Sequence, residues 1–428
     1  MKKRTLIAAA SLLVTLNGWA ETLFIHDATV HTGAVPPVLQ DTDVLVRDGR
    51  IESIGPNLEA PADARVIEAD GRPVTPGLFA GITAHGLVEI GMVEHTVDGS
   101  LAASGLPSPG MHPEFDVTPA YNPRSSVIPV TRIEGLTWSV LGAGQDESII
   151  GGQGRPVVFD GGFDSFRGDP VLYVAVGASA AGKSRGSRAA QWMLLEQALA
   201  EAGSDLAWTP APLLTPAGRA ALDGFREAGV VVFSADRASD ILQVLAFAEK
   251  HGLNAVINGA AEGWTVADRI AEAGVPVLLN PLVNLPGNFD QLGARLDNAA
   301  LLHEAGVTIA FSGHGTHHAR KQRQAAGNAV AHGLPWNAAL AALTVNPAVI
   351  FGLEDSAGTL QPGSPADLVI WSGDPLDVTS AADQVVVGGR MMPMVSRQTL
   401  LRDRYLRDDA DRPRAYPNAS GADPATPR

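Results

Sequence analysis

Residues 74–90 read VTPGLFAGITAHGLVEI, and the fold turns on how they are taken. Pro76 and Gly77 signal a turn. An apolar run of strand length, 78–84, follows. Gly86 interrupts it, and an irregular acidic segment with Glu89, Glu94 and Asp98 comes next. Successive strand side chains face opposite ways, so Ile82 and Ala84 share a face and His85 turns to the other.

On the N-terminal side, 22–75 is a series of short β-rich runs. Asp48-Gly49 and Asp70-Gly71 lie between them as hairpin signals. Similar material returns near the C-terminus in AGTLQPGSPADLVIWSGDPL and ADQVVVGGRMMP. Two β-rich ends around a long middle predict one small β-sandwich built from both, over 21–75 and 352–398. The middle, 76–351, alternates strand and helix. Strands are expected at 136–141, 171–176, 229–234, 254–258, 275–280 and 307–312. Helices are expected at 239–251, 262–273, 290–304 and between 318 and 343. That alternation implies parallel βα units. With the strand at 78–84 it predicts an α/β fold, a (β/α)8 TIM-type barrel with its chemistry at the C-terminal strand ends. Most of 91–169 is irregular, rich in Pro and Gly, and gives no assignment. The charged, Pro-rich stretch 399–428 is expected to be a disordered tail.

These features resemble the amidohydrolase superfamily, over nearly the whole chain after residue 20. The family's first barrel strand opens Pro-Gly-Leu-Ile-Asp-x-His-x-His, and here Pro76, Gly77 and Leu78 match. GRIESIG and PGSPADLVIWSGDP look like its sandwich motifs. The resemblance implies hydrolysis of carbon–nitrogen bonds other than peptide bonds, with zinc in typical members. The family's ligand positions fall here on residues that ligate poorly or not at all. Its Asp falls on Ala80 and its paired histidines on Ile82 and Ala84. Its fifth- and sixth-strand histidines fall on Ser234 and Asn258, and its eighth-strand Asp on Gly315. Aliphatic side chains offer no lone pair, and neutral oxygens hold zinc poorly. A degenerate metal site and no cofactor are therefore expected. The pocket candidates are Ile82, Ala84, Ser234, Asp236, Asn258, Glu262 and Gly315, with no catalytic residue assignable.

Three patterns carry alternatives. His314, His317 and His318 are spaced for one helical face, so a relocated metal site and a solvated helix start both fit. His85, His95 and His112 read as polar residues of the mouth loops. GASAAGKS, from Gly177 to Ser184, matches the phosphate-loop pattern G-x-x-x-x-G-K-[ST] after an apolar run. Lys183 would then reach a phosphate, yet Gly186 interrupts the helix that should begin there. The other reading is a basic mouth loop with Lys183, Arg185 and Arg188. VTRIEGLTW and SIIGGQGRPVV resemble segments of the imidazolonepropionase-like branch. They place Arg132, Glu134 and Gln153 at a pocket or, for the first two, in a structural ion pair.

Composition supplies the setting. The 428 residues suffice for a large domain plus a small one. Lys2, Lys3 and Arg4, an apolar run to Leu16 and the small residues around Trp19 make residues 1–20 a signal peptide, implying a periplasmic or secreted protein. No later run is long enough to span a bilayer. With no cysteine there is no disulfide, no thiolate metal site and no lipid-attachment cysteine after the leader. The net charge of −15 becomes −18 once the three leader cations are removed, which argues against nucleic acid and anionic membrane surfaces. Three functions remain. One is a hydrolase with an altered or absent metal. Another is a pseudoenzyme that binds a small molecule or supports a partner, either a second copy in a homo-oligomer or a catalytic paralogue. The third is a nucleotide binder acting through Gly177 to Ser184. The substrate is not legible, because mouth loops set it. Sequencing the exported product should give Glu21 first; a membrane-bound product starting at Met1 would refute the leader.

Overall fold

The computed structural model describes residues 21–101, 110–145, 148–184, 186–203, 212–313 and 315–406. The leader, 1–20, and the chain from 407 onward lie outside the described residues.

Both chain ends feed one eight-stranded sheet. Pro73–Pro76 is its pivot, parallel to Leu23–His31 on one side and antiparallel to Leu368–Trp371 on the other. Val38–Arg47 and Arg50–Gly55 extend it as a hairpin. Their turn is Asp48-Gly49, with φ of 52° and 79°, both positive as a type I′ turn demands. Asp70-Gly71 departs from expectation. Arg65–Glu68 and Pro73–Pro76 do not pair with each other; both run parallel to Leu23–His31, one after the other along its length. The turn is a jog, tied by the Gly71 N–H donating to Asp27 O at 2.7 Å. Leu23, Ile25, Val44, Ile51, Leu368 and Val386 form the core of this sheet.

From the pivot the chain passes directly into the α/β part through Leu78–Thr83. Val171–Ala175, Val230–Ala235, Asn254–Gly259, Val277–Leu279 and Ile309–Phe311 pair in that order, all parallel. A second sheet holds Leu78–Thr83 parallel to Leu136–Leu141. The strands are thus divided between two sheets, and an antiparallel element stands where the sequence gave no assignment. Ile150–Gly154 pairs with Val171–Ala175, and Pro156–Val158 with Leu136–Leu141. The sheets touch where the Ile82 N–H donates to Ser312 Oγ at 3.0 Å and Tyr173 Oη donates to Leu141 O at 2.7 Å. One core, including Phe79, Trp138, Phe233 and Phe311, runs through both.

Ala238–His251 agrees with its expected span. The helix expected at 290–304 shrinks to Asn298–Glu304, preceded by a 3-10 turn at Phe289–Gln291. The groups of the missing part are engaged elsewhere: the Gly293 N–H donates to Glu262, and Asp290 accepts from Ala178. The tail is helical over Arg397–Leu406 rather than disordered from 399. Ser396 and Thr399 start it by each accepting the other's amide. Among the described residues no helix is long and apolar enough to cross a membrane.

Arg323 clamps the two parts together from Gln322–Ala331. Its guanidinium donates to the carbonyls of Pro375 (3.0 Å), Asp377 (2.7 Å) and Ser380 (2.9 Å), and lies 5.1 Å from the centre of the Trp371 ring. Trp371 in turn donates to Thr75 Oγ1 at 2.9 Å. Arg323→Ala strands those carbonyls and should cost about 3 kcal/mol in urea unfolding. Arg323→Lys, lacking the planar fork, should recover under about half of that. A loss below about 1 kcal/mol for the alanine variant would remove the clamp's importance.

Candidate functional site

Parallel strands buried on both faces stay apolar along their length. They become polar only where they end. Four neighbours do so in succession: Ser234 follows GVVVF, Asn258 follows NAVI, Asn280 follows VPVLL and Ser312 follows VTIAF. Register holds Ser234 level with Asn258 on one side and Ala175 on the other. All four residues line one cavity of about 250 Å³, together with Asp236, Asp290 and Gln291. That is small beside the ~300–1,000 Å³ of common ligand pockets.

Asp236 carries the cavity's distinctive charge. Burial pushes its carboxyl above the ordinary value. The Gln291 amide, donating to Oδ2 at 2.8 Å, and the Ala261 N–H, donating to Oδ1 at 3.2 Å, pull it down, while Asp290 and Glu262 push it up. Gly259, at φ +114°, makes the room: a Cβ there would come within 2.6 Å of Asp236 Oδ1. Asp290 is held differently. It accepts from the Ala178 N–H at 2.6 Å and pairs with Arg188, which also donates to Asp240 at 3.1 Å. Among the described residues, nothing hydrogen-bonds the side chains of Ser234 and Asn258, and Asn280 uses only its oxygen, for the Leu282 N–H.

Of the expected pocket residues, Ser234, Asp236 and Asn258 come together here. Glu262 does not join them: its carboxylate accepts from the Ala238 N–H at 3.2 Å and the Gly293 N–H at 3.1 Å. Ile82 and Ala84 pack against the main core, outside the cavity lining. Gly315 precedes the 3-10 turn Thr316–Lys321, and Ser312 and Gly313 line the cavity in its place. His317 and His318 lie on that turn, both exposed, so the α-helical spacing assumed for the cluster does not apply. His314 lies outside the described residues. Sequence reasoning misses Asn280, Asp290, Gln291 and Ser312, although VLLN and IAFS repeat the signal of AVIN and VVFS.

The phosphate-loop match is occupied by the protein itself. The Ala178 N–H goes to Asp290, the Gly177 N–H to Gln191 Oε1 at 2.9 Å, and Ser184 Oγ donates to Ala180 O at 3.1 Å. Arg132 donates to Phe159 O at 2.8 Å rather than pairing with Glu134, whose salt bridge is with Arg323 at 3.9 Å. Gln153 donates to Pro113 O at 3.1 Å. His112 meets Glu114 at 3.2 Å, and His95 is exposed.

A model of the amidohydrolase family matches residues 303–393, from the end of Asn298–Glu304 through the return into the terminal sheet. An amidohydrolase of Thermotoga maritima MSB8 is 26% identical with a TM-score of 0.72, covering 88% of this chain and 100% of that one. The chain is thus similar to the amidohydrolase superfamily, in sequence over 303–393 and in fold over most of its length. Molinate hydrolase shares the fold at 18% identity and a TM-score of 0.56, covering 88% of this chain and 95% of that one. So does a β-aspartyl dipeptidase of Fervidobacterium islandicum AW-1, at 15% and 0.52, covering 87% and 96%. An amidohydrolase of Hapsidospora irregularis is 43% identical over 58 residues, 14% of this chain and only 6% of that protein's length.

Zinc, found in typical superfamily members, meets an unsuitable donor set here. The strand ends carry hydroxyls and carboxamides. Among the described residues no three His, Asp or Glu side chains come together as a metal site. His85, next to the superfamily's histidine pair, is a core residue rather than part of a mouth loop. Its ring nitrogens bond Thr83 Oγ1 at 2.7 Å and Thr131 Oγ1 at 2.8 Å, and its ring lies 4.8 Å from Phe159. Burial pushes its pKa down to about 3, with His317 adding to the shift. The unfolded chain protonates this imidazole near its ordinary value of 6.5. Its contribution to stability is therefore complete above that pH and is lost below it, by at most about 1.4 kcal/mol per pH unit. The stability difference between wild type and His85→Gln should shrink from about pH 7 to pH 5 in denaturant titrations. Parallel curves would show that the folded protein carries the imidazole charged.

Proposed function

We propose that this protein is an exported hydrolase of the superfamily type, periplasmic or secreted. It acts on a carbon–nitrogen bond, other than a peptide bond, of a small molecule held in the strand-end cavity. The same proposal takes the two α/β sheets as one (β/α)8 barrel over 76–351, with the terminal sheet as its sandwich over 21–75 and 352–398. The observation that carries it is the convergence of Ser234, Asn258, Asn280 and Ser312 with Asp236, at the strand ends where this fold places chemistry. Asp236, its pKa raised, is the acid–base group. It takes a proton from water attacking the carbon and returns it to the leaving nitrogen, without a histidine-held metal.

A second reading has its own support. Apart from two aspartates, the described polar side chains of the cavity are neutral, suited to binding more than to cleavage. On that reading the protein is a small-ligand binder or the partner of a catalytic paralogue. Nucleotide binding loses its support, because the loop's donors are committed to Asp290 and Gln191.

Metal analysis of the purified protein should find zinc well below stoichiometric. Chelation should leave the melting temperature and any amide hydrolysis unchanged. Stoichiometric zinc lost together with such an activity would overturn the metal-free chemistry. Saturable ligand binding with no turnover across linear and cyclic amides would favour the second reading.

A further inference from the structure

This inference rests on the cavity being the ligand site and concerns the charge of what enters it. Asp290 and Glu262 are close enough to Asp236 to act on its carboxyl electrostatically. They are compensated unequally. Asp290 shares Arg188 with Asp240. Glu262 accepts two backbone amides. Among the described residues, the Asp236 carboxylate accepts hydrogen bonds only from the Gln291 carboxamide and the Ala261 N–H, both neutral. Among the described lining residues none is basic. A desolvated carboxylate facing two others is costly as an anion unless a cation joins it. Beside it, Ser234 Oγ and the Asn258 carboxamide are open to a ligand, and Val176, Ala261 and Val283 supply an apolar wall. The chain's net charge of −15 draws cations toward any such opening.

We propose that the cavity selects a small planar nitrogen cation, an amidinium or guanidinium on a compact body, and rejects the carboxylate of the same shape. Asp236 is the residue that determines this specificity. A planar fork of N–H donors suits carboxylate oxygens, and the neutral Asn258 and Ser234 can accept what remains. Asp290, Glu262, Gln291 and the Ala261 N–H are the groups facing Asp236. Cation affinity rises as pH rises through the Asp236 pKa, since only its anion attracts the ligand.

Benzamidine, benzamide and benzoate share one shape and differ in charge. Calorimetry on the full mature chain near neutral pH should show benzamidine binding at least about tenfold tighter than benzamide, with benzoate weakest. Asp236→Asn keeps an acceptor for the Ala261 N–H; it should lower benzamidine to the affinity of benzamide and leave benzamide within about twofold. Gln291→Lys places an ammonium beside Asp236 and should erase the same preference while the carboxylate stays. Benzoate binding as tightly as benzamidine, or a cation preference surviving both substitutions, overturns the charge assignment and leaves the cavity standing as a site. Failure of all three probes to bind overturns the cavity as a ligand site, and the proposed function with it.

Discussion

Parallel register is the constraint on which the site depends. Val230–Ala235 lies level with Asn254–Gly259 along its whole length, so Ser234 cannot leave the side of Asn258 without breaking every rung below. The rungs below are Val231, Val232 and Phe233 against Ala255, Val256 and Ile257, all buried. A hydroxyl or carboxamide placed two residues earlier would sit unsatisfied in that core, at a cost of several kcal/mol. Polar residues are therefore pushed to the strand ends. Because the strands run parallel side by side, their polar ends line one cavity floor.

Above the floor, most charge serves to hold loops in place. Glu262 joins the start of Ala238–His251 to Gly293 through two amides. Arg188 joins the loop at Ala178 to the segment at Asp290, because Asp290 accepts from both. A glycine-rich turn with exposed amides is an anion site by construction. Here the anion is the protein's own carboxylate, which explains how a literal phosphate-loop pattern can exist without a phosphate. Two of the three neighbouring carboxylates are thus parts of the scaffold. Among the described residues, Asp236 is the one of the three that lines the cavity without a cationic partner.

The sequence exposes the floor better than the walls. GVVVFS and NAVIN read as buried strands with polar ends, and the structure places Ser234 and Asn258 as that reading implies. The same rule applied to VLLN and IAFS finds Asn280 and Ser312. Asp290 and Gln291 are hidden because periodicity favours a helix across 290–304. That helix is displaced by tertiary hydrogen bonds, which no local pattern reports. Asp70-Gly71 carries the backbone signature of a hairpin. It becomes a jog because the strand beyond it, Pro73–Pro76, pairs with strands from both chain ends. His85 is misread for a related reason. It lies in a turn just beyond Leu78–Thr83, so strand alternation does not govern it, and its surroundings are closed core rather than an open loop.

The likeness to amidohydrolases rests on scaffold residues. The family model matches from the last parallel strand into the terminal sheet, where Arg323 and Trp371 lock the two parts together. Those residues answer to packing, and packing is indifferent to what the strand ends carry. At and just beyond the end of Leu78–Thr83 the side chains at 82 and 84 pack against the core, and the adjacent imidazole is bonded at both nitrogens by threonines. Among the described residues, both ring nitrogens of that imidazole are already used. The site has instead kept one carboxylate in a setting that raises its pKa. That works against the fold: within the window between the free and folded pKa values the folded chain binds the extra proton, so stability falls as pH rises through it. Arg188 and the loop amides show that this fold can neutralise a carboxylate where only structure is at stake. Asp236 instead accepts from neutral donors, the Gln291 amide and the Ala261 N–H, and the proposed acid–base role would draw on that difference.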